Sequence, residues 1–322
     1  MPNTKPRVAA TTRPVTESEL AETDRVIRFA FGTFLGLPDP MEFMGDADYV
    51  RTRWKADPSA VVVAEHEGKL IGANFAVNWG SFGFFGPLAV APAYWECGIA
   101  QQLMVPTMEI FKRWGNRHLG LYTFAQSPKH MRLYQKFGFW PRDLIAIMSK
   151  QVGPRDANSA KPSVFSDAKP SDRGALLDVC LEVTSAVFGG LDVGGEIGAV
   201  ATQGLGDTVL VWDSAKLVAL AVCHTGAGSE AGTGVCYVKF AAARPGSQAG
   251  ANFSRLLDAI EEFASSRGLT KITAGVNLAR RGAFTEMYAR GFRTELQGVA
   301  METGDASSGY NRDGVYLLDD WR

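Results

Sequence analysis

The sequence predicts an α/β (α+β) fold of two tandem domains, each with a mixed, mostly antiparallel sheet flanked by helices. Three observations support this prediction. The chain has 322 residues, about twice the ~150 residues of an ordinary domain. Segments of the first half recur in the second half at a spacing of 153 residues. In both halves most predicted strands follow one another along the chain, which favours antiparallel pairing over a doubly wound parallel sheet.

The repeat is the most informative feature of the chain. Its spacing holds without a gap from Pro92 to Phe139. The identical pairs are Pro92 and Pro245, Leu103 and Leu256, Glu109 and Glu262, Gly115 and Gly268, Gly138 and Gly291, and Phe139 and Phe292. Unrelated segments seldom keep one spacing over such a length, so we predict that one domain has been duplicated.

Composition and patterning divide the chain into four parts. Residues 1–14 have no apolar stretch like that of a secretory signal, so we expect a disordered tail and a cytoplasmic protein. The predicted N-terminal domain covers 15–152 and the C-terminal domain covers 165–322. Between them, 153–164 is rich in Pro, Ser and Gly, which is typical of a linker.

In the first copy a helix is predicted after Thr16, a residue suited to an N-cap. Two strands follow, joined by a turn at Glu67-Gly68. The next apolar strand, 82–90, contains Gly86-Pro87; because proline cannot donate to a ladder, we expect an edge or a bulge there. A helix after Gly98, a strand, a short helix and a final strand complete the unit. The second copy repeats this order from its strands onward.

Residues 226–231 match the G-x-G-x-x-A pattern of dinucleotide-binding loops. In such a site the pattern must open a helix. Here it leads into Gly232, Gly234 and a predicted strand. We therefore interpret it as a glycine-rich hairpin loop.

Charge and composition argue against several classes of function. With 33 basic and 34 acidic residues the net charge is −1, which does not favour nucleic-acid binding. No apolar run reaches the roughly 18 residues that a membrane span needs. The four cysteines form no C-x-x-C pair and there are only four histidines, so neither a metal site nor a disulfide framework is predicted.

The segment 86–104 has the pattern of an anion site. A strand ends at Val90, an irregular loop follows, and a helix begins near Gly98, with small residues at Gly98 and Ala100. The free amides of a helix start favour an anion such as pyrophosphate. The alternative is a strand–helix turn that needs a small residue only for packing.

Two motifs together resemble the GNAT superfamily of acetyl-CoA-dependent N-acetyltransferases. Val90-Ala91-Pro92 followed by Trp95 to Ala100 is similar to the family's [Q/R]-x-x-G-x-[G/A] signature after a strand that ends in Val-x-Pro. Residues 133–139 are similar to its L-Y-x-x-x-G-F helix. The motifs cover about residues 15–150, and the repeat extends the resemblance over 165–322. Trp95 departs from the family's Gln or Arg.

The resemblance implies acetyl-CoA as cosubstrate. The residues it implies for cofactor binding are Leu88, Val90, Glu96, Cys97, Gly98, Ile99, Ala100, Gln101 and Ser127. The pantetheine arm would enter at the Gly86-Pro87 break, and a main-chain N–H near Leu88 to Val90 would hold the oxyanion. Ser127 is equally suited to capping the short helix. Cys97 is better explained as a small loop residue than as a nucleophile.

The resemblance also implies that Tyr134 is the general acid that protonates the departing thiolate. The alternative is that Tyr134 only packs its helix on the core. A general base is harder to assign, because the strand 82–90 contains no Asp or Glu. We expect a water chain instead. Its candidate end points, each better explained as a solvated surface acid than as a base, are Glu42, Asp46, Asp48 and Glu65.

The second copy lacks the matching residues. At the same spacing Gly98 becomes Ala251, Ala100 becomes Phe253 and Tyr134 becomes Met287. We predict a degenerate domain that shapes the substrate cleft or mediates formation of a homodimer. The predicted function is transfer of an acetyl group to a small-molecule amine by direct attack. The alternative is a non-catalytic CoA-binding or interaction protein on the same fold.

Overall fold

The computed structural model describes residues 5–153, 161–304 and 309–322. Most of the predicted linker, residues 154–160, and the first four residues of the predicted tail lie outside the described residues.

Strands and helices alternate in the same order in both halves of the chain. The strands are β1 (Thr11–Pro14), β2 (Val61–His66), β3 (Lys69–Trp79), β4 (Phe82–Phe85), β5 (Ala89–Val90), β6 (His118–Thr123), β7 (Trp140–Gln151), β8 (Ser163–Val164), β9 (Gly206–Asp213), β10 (Lys216–Gly226), β11 (Gly232–Ala243), β12 (Lys271–Asn277), β13 (Arg293–Glu302) and β14 (Leu317–Leu318). The helices are α1 (Leu20–Leu35), α2 (Tyr49–Ala56), α3 (Ile99–Trp114), α4 (Pro128–Gln135), α5 (Arg173–Val187), α6 (Gly194–Gln203), α7 (Ala249–Ser266) and α8 (Arg281–Ala289). Sequence analysis did not identify α2, α5 or α6.

The spacing of 153 residues is kept in the strand register. In the parallel pair of β4 and β6, Phe84 lies opposite Gly120. In the parallel pair of β11 and β12, Tyr237 lies opposite Thr273, which is the same pair one spacing later. The duplicated sequence pattern therefore corresponds to a duplicated strand arrangement.

The strands form one continuous mixed sheet, and its last strands are exchanged between the halves. The order is β1-β2-β3-β4-β6-β13-β7-β12-β11-β10-β9-β8. Thus β13, from the end of the chain, pairs antiparallel with β6, and β7 pairs antiparallel with β12. β7 and β13 also pair with each other at the centre. A boundary at 153–164 divides the halves along the chain but does not divide the sheet.

The exchanged strands carry apolar side chains into the opposite core. Met148 of β7 is fully buried among residues of α7 and α8. Val299 and Met301 of β13 pack in the cluster around α3 and α4 of the N-terminal half. Each core is therefore complete only when the other half is folded.

The predicted disordered tail is wrong for its described part. Thr11–Pro14 form β1, which pairs antiparallel with β2, and Val8 N donates to Cys97 O at 3.1 Å. The segment has no apolar alternation, because its order comes from main-chain pairing to an existing strand edge. A side-chain pattern could not reveal that pairing.

Close packing at the central strands generates a testable prediction about stability. A Cβ atom on Gly298 of β13 would lie 2.3 Å from the Tyr122 ring. Gly298→Ala should therefore lower the free energy of unfolding by about 1–3 kcal/mol through overpacking. Because the sheet is continuous, calorimetry should show one transition for both halves.

Gly174→Ala is the matched control, since nothing lies within 4 Å of an added Cβ there, on an α-helix. It should stabilise the protein by about 0.5–1 kcal/mol. Two separate melting transitions in the wild type, or equal effects of the two substitutions, would contradict the prediction.

Candidate active site

The strand break at Gly86-Pro87 is a one-residue bulge. Ala76 of β3 lies opposite Phe85, and Ala73 lies opposite Ala89. Three steps along β3 therefore match four steps along the facing segment, which leaves one extra residue at the break.

The bulge leaves alternate amides facing away from β3. Ala91 N donates to Ile71 O at 2.8 Å, so Ala89 and Ala91 present their amides to β3. By the alternation of a strand, Leu88 and Val90 present theirs to the opposite edge. β6 is paired with β4 only as far as Gly120. Residues 88–90 and 121–123 border a gap between the strands, which we call the slot.

A helix starts next to the slot. Gly98 adopts a left-handed conformation with φ of 84° and is the N-cap of α3. The first amide of α3 that bonds back along the chain is Gln102 N, to Gly98 O at 3.3 Å. The amides of Ile99, Ala100 and Gln101 therefore point out of the helix end, where an anion can accept from them.

The loop before this helix is held by Trp95. Its Nε1 donates to Val90 O at 2.6 Å. The predicted site residues around it have different environments: Glu96 is exposed with φ of 70°, whereas Cys97 and the side chain of Ile99 are buried. Any ligand contact of Cys97 and Ile99 must therefore come from their main chain.

Two cations that sequence reasoning missed flank the helix start. A Cβ on Gly98 would lie 3.8 Å from Cγ of Arg7. Lys129 Nζ lies 5.4 Å from the centre of the Trp95 ring. Arg7 is in the segment assigned to a disordered tail, and Lys129 is in no motif. Only the pairing of 8–10 with the α3 loop brings Arg7 to this position.

Tyr134 lies next to the slot and contacts both β4 and β6. It is 7% exposed, and its ring lies 5.6 Å from that of Phe85 on β4. Burial raises the pKa of Tyr134 well above its ordinary value, and a hydrogen bond with Thr123 of β6 opposes this only in part. The phenol is therefore protonated at neutral pH and able to donate.

Two further polar residues, Ser127 and His130, lie at the start of α4, the helix that carries Tyr134. Ser127 is the N-cap of α4 and is buried, but its hydroxyl makes no capping hydrogen bond. His130 lies one helical turn before Tyr134, and its ring is 5.2 Å from that of Phe34 on α1. Burial lowers the pKa of His130, and the neighbouring charge of Lys129 lowers it further.

Three of the proposed end points of a proton path have structural partners. Asp46 accepts from Thr233 N at 2.8 Å, far along the chain. Asp48 caps α2 by accepting from Arg51 N at 2.8 Å. Glu65 pairs with Arg13 at 2.6 Å. Glu42 ends a short 3-10 turn. The structure does not bring these four carboxylates together at the slot.

The C-terminal half has the same bulge, but its slot is filled. Cys223 of β10 lies opposite Val238 and Val222 lies opposite Phe240, so the extra residue of β11 is Lys239, one spacing after Gly86. Ala241, one spacing after Leu88, lies opposite Leu318 of β14.

The filling segment also bonds to the second amide of that edge. Ala243, one spacing after Val90, donates from its N to Tyr316 O at 3.0 Å. The two amides that in the N-terminal half face the slot are thus bound, in the C-terminal half, by an extended segment of the chain itself. This segment, Tyr316–Leu318, shows how an extended group pairs at such an edge.

Side chains close the rest of the second slot. The Tyr316 hydroxyl oxygen would lie 2.9 Å from a Cβ on Gly250 and 2.7 Å from one on Gly282, at the starts of α7 and α8. Its ring is 5.4 Å from that of the buried Phe253. Since α7 already begins at Ala249, Ala251 lies inside the helix and no left-handed turn like that of Gly98 forms.

Two further properties concern only the residues that the structure describes. Among 5–153, 161–304 and 309–322 there is no group of three or more His, Cys, Asp or Glu side chains that could hold a metal ion. No helix in these ranges is long and apolar enough to cross a membrane.

Comparison with known proteins agrees with this geometry. The model of the acetyltransferase (GNAT) family matches residues 30–139, which include the bulge, the α3 start and Tyr134. Residues 30–139, about a third of the chain, are thus similar to a family whose members are acetyltransferases. A search of the curated proteins finds no match to the sequence.

Solved structures share the fold over nearly the whole chain. A protein from Pyrococcus horikoshii, named "Putative Acetyltransferase", is 14% identical, with 97% of this chain and 95% of that chain covered and a TM-score of 0.68. A GCN5-related N-acetyltransferase from Sphaerobacter thermophilus is 16% identical, with 91% and 95% covered and a TM-score of 0.59. At these identities the likeness shows the fold alone.

The filled second slot generates a prediction about stoichiometry. Calorimetric titration of the whole chain with acetyl-CoA should give one site, because Tyr316–Leu318 already occupies the edge that a second molecule would need. Two sites per chain would contradict this.

A substitution at the position equivalent to Gly98 tests whether the C-terminal half contributes to that one site. Ala251→Glu places a carboxylate one spacing after Gly98, at an exposed position of α7. It should leave the titration unchanged, because the pairing edge next to it is already filled.

Proposed function

We propose that this protein is an acetyl-CoA-dependent N-acetyltransferase whose N-terminal half transfers the acetyl group directly to a small-molecule amine. One observation carries the proposal. The Leu88 and Val90 amides face the slot, and Val90, Ile99 at the helix start and the protonated Tyr134 belong to one buried cluster beside it. The near-zero net charge of −1 supports a small acceptor over a polyanionic one.

The slot provides separate contacts for two parts of acetyl-CoA. The Val90 amide can pair with the pantetheine arm, as the equivalent Ala243 amide pairs with Tyr316. The amides from Gly98 to Gln101 can hold the pyrophosphate, and the cations Arg7 and Lys129 favour its charge. Ser127, free of a capping bond, can contact the arm.

The chain's own groups supply the chemistry of transfer. As the amine nitrogen bonds to the thioester carbon, negative charge develops on the carbonyl oxygen, and the amide of Leu88 is the donor that stabilises it. When the carbon–sulfur bond breaks, Tyr134 gives its proton to the thiolate. The proton of the amine leaves to water, since 82–90 contains no carboxylate.

We also propose that the C-terminal half is a degenerate copy of the same domain. Its bulge and register support a common origin. Its filled edge, the early start of α7 and the buried Met287 in place of Tyr134 support the loss of its own site.

The cofactor assignment predicts that Gly98→Glu weakens acetyl-CoA binding by at least about tenfold. The substitution puts a negative charge where the pyrophosphate should lie, in reach of the α3 amides. Calorimetry on folded protein measures the affinity.

Gly98→Ala is the control for backbone strain. It imposes the same cost of a side chain at φ of 84° but adds no charge, so its affinity should lie between wild type and Gly98→Glu. Unchanged affinity in Gly98→Glu would overturn the assignment of the loop.

The acid assignment predicts that Tyr134→Phe lowers kcat about 10²–10⁴-fold while the affinity for acetyl-CoA changes little. The phenol proton is needed only when the thiolate leaves. CoA release with an amine that the wild type acetylates, found from a panel, measures kcat.

Thr123→Val is the control, because it removes the hydrogen-bond partner of Tyr134 but keeps the phenol. It should retain most activity. Wild-type turnover by Tyr134→Phe would reduce Tyr134 to a packing residue, and acetyl-CoA binding without CoA release for any amine would favour the non-catalytic alternative.

A further inference from the structure

A cluster of four charged side chains is buried between the two halves. Its members are Arg53 of α2, Glu196 of α6, Glu230 of the β10–β11 hairpin loop and Lys239 of β11. None of these side chains is more than 10% exposed. We call this set the charge cluster.

Glu230 is the centre of the charge cluster. It accepts from Arg53 Nε and Nη2, each at 2.8 Å, and from Lys239 Nζ at 2.7 Å. Lys239 also pairs with Glu196 at 3.0 Å. Burial alone would raise the pKa of Glu230, but the charges of Arg53 and Lys239 hold it well below its ordinary value, so it is a carboxylate at neutral pH.

The charge cluster connects the two bulges. Arg53 Nη1 donates to Gly86 O, the carbonyl at the bulge of the N-terminal half. Lys239 is itself the extra residue at the bulge of the C-terminal half. The C-terminal half thus holds the arginine that binds the main chain beside the slot, through the Glu230 carboxylate and through the Arg322 carbonyl, which accepts from Arg53 Nη2.

The position of the Gly86 carbonyl matters for the slot. Gly86 is followed by Pro87, which has no N–H, and then by Leu88 and Val90, whose amides face the slot. A fixed carbonyl at Gly86 fixes the start of this short segment. Catalytic donors must be held to a fraction of an ångström, because a misplacement of about 1 Å can cost about 10²-fold in rate.

We propose that Arg53, held by Glu230, is a positioning residue for acetyl transfer: it fixes the Gly86 carbonyl so that the Leu88 amide faces the thioester carbonyl. This rests on the proposed function and deepens it. The C-terminal half then serves the reaction without touching substrate.

Stability alone is a weak reason for such a cluster. Replacing a buried ion pair by apolar residues is often neutral or stabilising, whereas removing one partner leaves a costly unpaired charge. The test must therefore remove an arginine and a carboxylate together.

The double variant Arg53→Met/Glu230→Gln meets this condition. It removes one positive and one negative charge and leaves Lys239 paired with Glu196. Melting temperature reports folding, calorimetry reports acetyl-CoA affinity, and infrared spectroscopy of bound [1-¹³C]acetyl-CoA reports the polarisation of the thioester carbonyl. The last readout needs no acceptor.

We expect the double variant to bind acetyl-CoA within about tenfold of wild type, since the α3 helix start is untouched. Its carbonyl band should move back towards that of free acetyl-CoA. With an amine that the wild type acetylates, kcat should fall about 10²-fold, as when an oxyanion donor is lost.

Glu302→Gln is the matched control. His118 and Glu302 form a buried hydrogen bond between the halves, at 2.8 Å, and hydrogen-bond no residue of 85–90. This variant should keep the wild-type carbonyl band and kcat.

A folded double variant with the wild-type carbonyl band would overturn the proposal. If the double variant does not fold, Arg53→Lys takes its place: it keeps the charge but not the fork that reaches Glu230 and Gly86 together. An intermediate band supports the positioning role, and an unshifted band overturns it. Failure of the wild type itself to bind acetyl-CoA would instead overturn the proposed function.

Discussion

The antiparallel pairing of β7 with β13 at the centre of the sheet is the interaction on which the rest of the structure depends. Each of these strands comes late in one half of the chain and pairs with a strand of the other half, β7 with β12 and β13 with β6. Met148 thereby enters the C-terminal core, and Val299 and Met301 enter the core that carries Tyr134. The exchange also brings the C-terminal half close enough for Glu230 to reach Arg53 beneath the bulge.

The two halves share one strand arrangement but differ in what lies beside it. Both have a one-residue bulge and a parallel strand pair in the same register. In the N-terminal half the amides beyond the bulge face the slot, next to a helix start. In the C-terminal half the same amides bind Tyr316–Leu318, and the Tyr316 side chain covers the starts of α7 and α8. The difference lies in what the chain places at one sheet edge.

Electrostatics divides the N-terminal site into two regions. At the helix start, exposed amides with Arg7 and Lys129 nearby favour a phosphate. Deeper in, burial keeps Tyr134 protonated, and the charge cluster holds the main chain while its own charges stay paired and out of solvent. The groups that would bind the anion are therefore exposed to solvent, whereas the groups nearest the reacting atoms are buried and held in place.

Local residue chemistry and spacing were enough to predict the repeat, the fold class, the bulge at Gly86-Pro87, the helix start at Gly98 and the resemblance to the GNAT family. The strand exchange could be seen only in the folded chain, and so could the order of residues 8–14, the position of Arg7, the filling of the second slot and the contact of Glu230 with Arg53. Each of these joins segments far apart in the chain, through main-chain pairing or buried charges that leave no periodic pattern. Glu230 lies in the glycine-rich loop that matches a dinucleotide-binding pattern. Its role depends on its contact with Arg53, which is 177 residues away in the sequence.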